Sequence, residues 1–359
     1  MGTATSTWIA PWVVIPGKPP LRDGALVLDA GGLVRAVPAS EVESAQAEVL
    51  KGIVMPALVN AHTHLELSHM SVPGGDGLVP WVTRLVAQRT PPLPSAIESA
   101  VRFLEKRGTG FVVDIANSRA TFDLLSASRL AFRIFLERVA PRPEAEPTLP
   151  HVEDARVRMT SHSTYATHER ALRETGAASI HVEEDPAEGE WLTRGKGPLA
   201  TLLPERIPPG KRPIPYLDSL GLLGPGALLV HATCADDDSL RLAAERDAVI
   251  VLCPRSNHHI GGKLPRWQAV RAAGVRVALG TDSLASCPSL DVLGDVATLA
   301  RDGADPAWLL HVATISGRAA VGFHEPHPFI EVGDNARTIR DPLAFVAHEG
   351  VNSPIRRLA

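Results

Sequence analysis

From Ile53 onward the chain repeats one pattern: a short apolar run of strand length, then a stretch with apolar residues three and four positions apart, then another apolar run. Parallel βαβ units produce this alternation, because a strand covered on both faces reads as a continuous apolar run and its crossover helix as an amphipathic one. Runs fall at 53–59, 110–115, 131–137, 157–160 (the weakest), 178–182, 227–231, 248–252 and 276–280. Eight such runs point to an α/β fold, a closed (β/α)8 TIM barrel, ringed by helices at 95–107, 167–175, 236–246 and 265–273.

Residues before 53 read differently. Short β-like runs at 24–29 and 33–37 are punctuated by Gly31-Gly32 and several prolines, which predicts a small sheet. The expected division is an accessory β segment at 1–52, a barrel at 53–325, and C-terminal accessory strands at 326–359 that complete a β-sandwich-like sheet. With 359 residues, 45% hydrophobic and 21% charged, the chain can bury a core of this size, and disorder is excluded. Pro141, Pro143 and Pro147 among acidic residues leave no normal helix in 138–155, so one barrel helix is expected to be missing. The Pro/Gly-rich, basic stretch 195–215 reads as a solvated loop or as a cover over a site.

The formal charge of -4 contains no long basic run, so neither nucleic acid nor an anionic membrane surface is an evident partner. A small-molecule ligand fits better. Cys234, Cys253 and Cys287 are odd in number and widely spaced, which argues against a disulfide framework. No secretory leader and no run of eighteen apolar residues occurs, so a cytoplasmic location is expected.

In a barrel of this kind reactive residues sit at the C-terminal strand ends. His62-Thr63-His64 follows the first run, and residues two apart on a strand project the same way, so both imidazoles can grip one ion. Alone, the pair reads more simply as a polar turn with solvated rings. His181 ends the fifth run, His231 ends the sixth, and Asp282 follows the eighth in Gly280-Thr281-Asp282-Ser283. Three imidazoles and one carboxylate suit Zn2+ or Fe2+ with a position left for water. Glu184, three residues after His181, can act as a proton shuttle, and hydrolysis of an amidine-like C–NH2 bond needs one, since ammonia leaves only after its nitrogen is protonated.

Together Asn60-Ala61-His62-Thr63-His64-Leu65-Glu66-Leu67-Ser68, His181-x-x-Glu184, Leu229-Val230-His231, Cys253-Pro254-Arg255-Ser256-Asn257 and Gly280-Thr281-Asp282-Ser283 resemble the amidohydrolase superfamily, in its cytosine/adenosine deaminase and chlorohydrolase branch. The resemblance spans roughly residues 1 to 350. It implies that His62, His64, His181 and Asp282 bind one metal ion, Zn2+ first and Fe2+ as the alternative. Asp282 would also take the proton of the attacking water, Glu184 would protonate the ring nitrogen and relay to the amine, and His231 would polarise the water or the tetrahedral centre. Relatives with two metals bridge them through a carboxylated lysine near the fourth strand. No lysine occurs between Lys106 and Lys196, so a mononuclear site is expected.

Ser161-His162-Ser163-Thr164-Tyr165 resembles the family's His-x-x-Tyr loop beside the substrate, which makes His162 and Tyr165 candidate contacts. Trp81 and Arg84, three apart on an expected helix, offer an aromatic face and a guanidinium to a flat heterocycle carrying an acid. The stretch from Leu65 to Trp81 is also locally similar to aminodeoxyfutalosine deaminases, which remove the amino group from an adenosine-like compound bearing a benzoate. Arg84, Arg89 or Arg255 would then pair with that carboxylate. Other readings are a chlorohydrolase or amide hydrolase on another heterocycle, or a metal-stabilised binding protein without catalysis. Departures from the family lie in the 138–155 stretch and in the tail, where Arg337 replaces an expected aspartate. Related proteins are often homodimers, although assembly is not legible in this sequence.

Overall fold

The computed structural model describes residues 4–29, 34–142, 153–203, 207–325 and 327–358. The chain opens with β1 (Ala4–Val13), β2 (Leu21–Asp29), β3 (Val34–Pro38), β4 (Glu48–Val49) and β5 (Ile53–Pro56). Two four-stranded parallel sheets follow, each in sequential order. The first contains β6 (Leu58–Thr63), β7 (Thr109–Ala116), β8 (Ala131–Arg138) and β9 (Val157–Ser161); the second contains β10 (Ser179–Val182), β11 (Leu228–His231), β12 (Val249–Leu252) and β13 (Arg276–Leu279). Finally β14 (Phe329–Val332) and β15 (Ile355–Arg357) return to the first group, giving one seven-stranded mixed sheet in the order β15-β14-β5-β1-β2-β3 with β4 beside β1.

The apolar runs become strands because both of their faces are covered. All eight residues of β7, Thr-Gly-Phe-Val-Val-Asp-Ile-Ala, are buried, as are all residues of β10, β11 and β12. Around them the helix Pro94–Lys106 turns Ile97, Ala100, Val101 and Leu104 inward at spacings of three and four. Each fully buried side chain of the Ile or Leu kind contributes about 1.5–3 kcal/mol. Helices at Glu169–Thr175, Asp237–Glu245 and Trp267–Ala272 lie where the periodicity predicts them.

The first run departs from expectation. The apolar stretch 53–59 is two strands, broken at Ala57: β5 pairs with β1 and β14, whereas β6 pairs with β7. Pro56 has no N–H to continue a ladder. Beyond it the Ala57 amide donates to the Pro328 carbonyl (2.9 Å) and the Leu58 amide to the Gly108 carbonyl (2.9 Å), so the chain crosses from one sheet to the other within a residue. Both strands are wholly buried, so hydropathy carries no trace of the break.

The two parallel sheets meet at two seams, each spanned by a single bridge: Thr63 with Asp282, and Ser163 with His181. A continuous eight-stranded ladder is therefore not formed among the described residues. At the first seam φ of +59° at Asp282 turns the chain out of the ladder, and Gly280 passes so near β6 that a Cβ there would sit 2.8 Å from His62 Cβ. Only glycine permits that approach. The missing barrel helix expected in 138–155 falls largely on 143–152, outside the described residues. The 195–215 stretch holds a short turn at Pro198–Thr201 and the start of the helix Pro213–Ser219. Among the described residues no helix is long and apolar enough to cross a membrane.

Candidate active site

Strand ends gather the predicted ligands. His62 lies in β6, His64 just beyond it, His181 in β10, and ring nitrogens of all three fall within 4.8 Å of one another. His64 Nε2 and His181 Nε2 are 3.3 Å apart, and Asp282 Oδ1 lies 3.6 Å from His64 Nε2 and 3.8 Å from His62 Nε2. Two features fit this donor set to a divalent ion. Both ring nitrogens of His62 are buried without a hydrogen-bond partner, which costs free energy unless something else binds them. Burial and the neighbouring imidazoles of His181 and His64 also hold the His62 pKa well below its ordinary value, so the ring offers lone pairs rather than charge.

Partners outside the cluster fix its orientation. His181 Nδ1 is 2.9 Å from the His162 carbonyl, which sets the proton on Nδ1 and leaves Nε2 to face the other ligands. Ser256 Oγ (2.6 Å) and Ser286 Oγ (2.8 Å) both donate to Asp282 Oδ2, leaving Oδ1 toward the imidazoles. Asn60 Nδ2 donates to Thr281 Oγ1 (2.8 Å) and Thr63 Oγ1 to the Asp282 carbonyl (3.1 Å), tying the two seam segments together. His231, Ala232, Asp282 and Glu183 all take positive φ, a conformation L side chains seldom adopt and one that clusters at functional sites.

Glu184 Oε1 stands 3.6 Å from His231 Nε2. Burial, reinforced by Asp282, Glu188 and Asp185, pushes the Glu184 carboxyl well above its ordinary range, which favours its acid form. His231 is driven down to about 4, chiefly by burial, and its Nδ1 lies 2.9 Å from Asn257 Nδ2. Asn257 Nδ2 can only donate, so His231 Nδ1 accepts and Nε2 carries the ring proton toward Glu184 and the cavity, where a neutral imidazole can donate a hydrogen bond to a developing oxygen charge.

Above the cluster opens a cavity of about 480 Å3 whose wall includes His64, His181, Glu184, His231 and Asp282. Of the residues expected to meet a substrate, Trp81, His162 and Tyr165 line this cavity. The Trp81 indole nitrogen is buried there without a partner. Two expectations are corrected. Arg84 points away from the cavity into an ion pair with Asp76 (2.5 Å) and a bond to the Pro73 carbonyl (3.0 Å). Arg255, half-buried in the first turn of the helix Pro254–Gly261, is bound to Asp295 (2.8 Å), Ser289 and the Asp291 carbonyl. Both are satisfied by partners too distant in sequence, or too ordinary, to be anticipated. Arg89, the remaining guanidinium, does line the cavity, at its exposed mouth, where it donates to Asn117 Oδ1 (2.5 Å).

Sequence reasoning missed four residues beside the site. Glu137, at the end of β8, lines the cavity and holds His162 Nδ1 at 2.6 Å. Asp114, in β7, accepts from the Leu65 amide (2.9 Å), and burial raises its pKa to about 8. Glu188 accepts from the amides of Glu183 (3.2 Å), Glu184 (2.7 Å) and Asp185 (3.3 Å), fixing the backbone that carries Glu184. Ser286 completes the cradle of Asp282. The signal for Glu137 and Asp114 was present, since both are acids ending or interrupting apolar strand runs.

Comparison with known proteins bears on this geometry. The model of the amidohydrolase family matches residues 53–339. The aminodeoxyfutalosine deaminase of Deinococcus radiodurans is 31% identical over 316 residues, covering 76% of this chain and 74% of that protein. Among solved structures, Helicobacter pylori aminofutalosine deaminase in complex with methylthio-coformycin superposes with a TM-score of 0.80 at 20% identity, covering 98% of this chain and 97% of that one. A zinc-bound adenosine deaminase from Xanthomonas campestris gives 0.77 at 19% identity over 96% and 89% of the two chains. At such identities the superpositions speak for the fold, whereas the family match runs through every residue of the histidine and carboxylate cluster: the chain belongs to the amidohydrolase family.

Proposed function

We propose that this protein is a metal-dependent hydrolytic deaminase of a purine-nucleoside-like substrate, with His62, His64, His181 and Asp282 holding one divalent ion, Zn2+ before Fe2+. The two parallel sheets would act as one barrel over residues 58–325, with the mixed sheet as its accessory unit. When bound, the ion supplies Lewis acidity that makes a water molecule nucleophilic at neutral pH. The residues do the rest. Asp282, anchored through Oδ2, holds Oδ1 toward the cluster, where it would both face the ion and accept a proton from the attacking water. Glu184 donates a proton to the ring nitrogen next to the amino-bearing carbon as water adds, the proton taken by Asp282 passes to the leaving nitrogen, and as the C–N bond breaks and ammonia departs the remaining hydroxyl proton returns to Glu184, leaving a carbonyl. His231 stands beside Glu184 to stabilise the developing oxygen charge.

The observation that carries this reading is Glu184, a carboxyl in the cavity wall 3.6 Å from His231 Nε2, with Asp282 and His181 lining the same cavity. The mouth adds a substrate class. Trp81 and a largely aliphatic wall of Leu78, Val82, Leu199 and Leu203 suit an apolar 5′ arm, and Arg89 at the opening suits an anionic end on it, as in aminodeoxyfutalosine. Ammonia release from metal-loaded protein should be greatest for aminodeoxyfutalosine, then methylthioadenosine, then adenosine, with cytosine and guanine inert. Absence of turnover of every adenine nucleoside overturns the reading, and elemental analysis of the same preparation identifies the ion.

A further inference from the structure

Glu137 is a buried carboxylate in the wall of the catalytic cavity for which the deamination chemistry above has no use. Its side chain is 5% exposed, and its Oε2 lies 2.6 Å from His162 Nδ1, on a ring that is itself 23% exposed to the cavity. The Glu137 carbonyl receives Asn117 Nδ2 at 3.3 Å, so the end of β8 is braced from the neighbouring strand. Burial alone would raise the Glu137 carboxyl, but the His162 imidazole bonded to it outweighs that and holds it well below the usual carboxylate range.

His162 is held at three points. Its amide donates to the Arg138 carbonyl (3.0 Å), its carbonyl faces His181 Nδ1 (2.9 Å), and its ring packs at 4.5 Å from the His181 ring and 6.3 Å from Tyr165. Backbone contacts of this kind place the ring but do not decide which nitrogen carries the proton. An ionised carboxylate only accepts, so a hydrogen bond at 2.6 Å requires the proton on Nδ1. Nε2, across the ring, is then what the imidazole presents to the occupant of the cavity. Glutamate, histidine and His181 also lie close enough to suggest a second cation site. That alternative is disfavoured, because His181 Nδ1 is taken by the His162 carbonyl and Glu137 Oε2 by His162 Nδ1.

We propose that Glu137 is a positioning residue for substrate recognition, which acts by fixing the tautomer and plane of His162 so that Nε2 meets a hydrogen-bonding atom of the nucleoside. Its effect is on binding and selectivity; it moves no proton in the reaction. This rests on the cavity being the deaminase site, and the test separates the two claims. In 15N-histidine spectra of the metal-loaded protein, His162 is expected to show a proton bound at Nδ1 with a downfield resonance, lost in Glu137→Gln; this readout needs no substrate. In kinetics, Glu137→Gln and His162→Gln are each expected to raise KM about tenfold with kcat changed less than about threefold, and the double variant to be no worse than the worse single one. Effects that multiply in the double variant, or a His162 spectrum unchanged by Glu137→Gln, overturn the proposal. Bound metal should stay at the wild-type level in both singles, and its loss would assign Glu137 to the metal site and equally overturn it. Inactivity of the wild type on every nucleoside with the spectral signature intact would sink the substrate reading and leave the Glu137–His162 pairing standing.

Discussion

The floor and the rim of the cavity are built in opposite ways. On the floor His62, His181 and Asp282 are nearly or fully buried, stand at strand ends, and each of the last two is fixed by named partners outside the cluster. At the rim Val86 is 66% exposed and Leu202 41%, Arg89 lies past the end of the helix Leu78–Gln88, and Leu202 follows the turn Pro198–Thr201. One part is pre-organised by the sheets; the other is carried by segments that can change without disturbing them. The difference teaches where each property resides: reaction type in the floor, substrate choice in the rim. One link joins them, since Asp185, next to Glu184, accepts from Ala187 (2.9 Å) at the start of its own helix and from Leu78 (3.2 Å) at the start of the rim helix.

Several measurements can break this contrast. Stripping the ion with a chelator should abolish turnover of every substrate and restore it on adding back Zn2+; retention of activity in metal-free protein would remove the floor's claim altogether. Glu184→Gln should lower kcat about 10^3-fold for all substrates alike while metal content stays constant. Glu188→Ala, which releases three amides behind Glu184, should lower kcat about tenfold or more with little change in KM. Arg89→Met should behave otherwise: kcat/KM for the carboxylate-bearing nucleoside falls about tenfold while methylthioadenosine is spared, and an equal fall for both would erase the distinction between rim and floor.

The smallest effect concerns stability. Asp114 has its pKa raised from 3.8 to about 8 by burial, so the folded state holds a proton that the unfolded chain gives up. Its favourable contribution is fully present below about 4 and is lost as pH rises to about 8. Asp114→Asn should therefore flatten the dependence of Tm on pH across that window, and an unchanged slope would count against a protonated Asp114.

Much of the site was legible because chemistry and periodicity coincide at strand ends. His62, His64, His181, His231 and Asp282 each close or follow an apolar run, so one rule finds all five. The same rule applied to acids marks Glu137 and Asp114, which lie in the runs 131–137 and 110–115. What sequence could not give is pairing across distance. Arg84 and Arg255 look like free guanidiniums until Asp76 and Asp295 are seen beside them. The break at Ala57 was invisible for a different reason: burial is complete on both sides, so nothing in hydropathy marks the change of sheet.

That crossing has a consequence for how the molecule is made. β5 takes β14 as its neighbour, pairing Met55 with Ile330, so an early strand must wait for one of the last to be synthesised. All the histidines of the cluster and Asp282 leave the ribosome first, and the parallel strands can assemble while β5 still shows an unpaired edge. Contacts this distant in sequence form slowly. An open apolar edge in a nascent chain is a template for wrong pairing, and docking of β14 on β5 is what closes it.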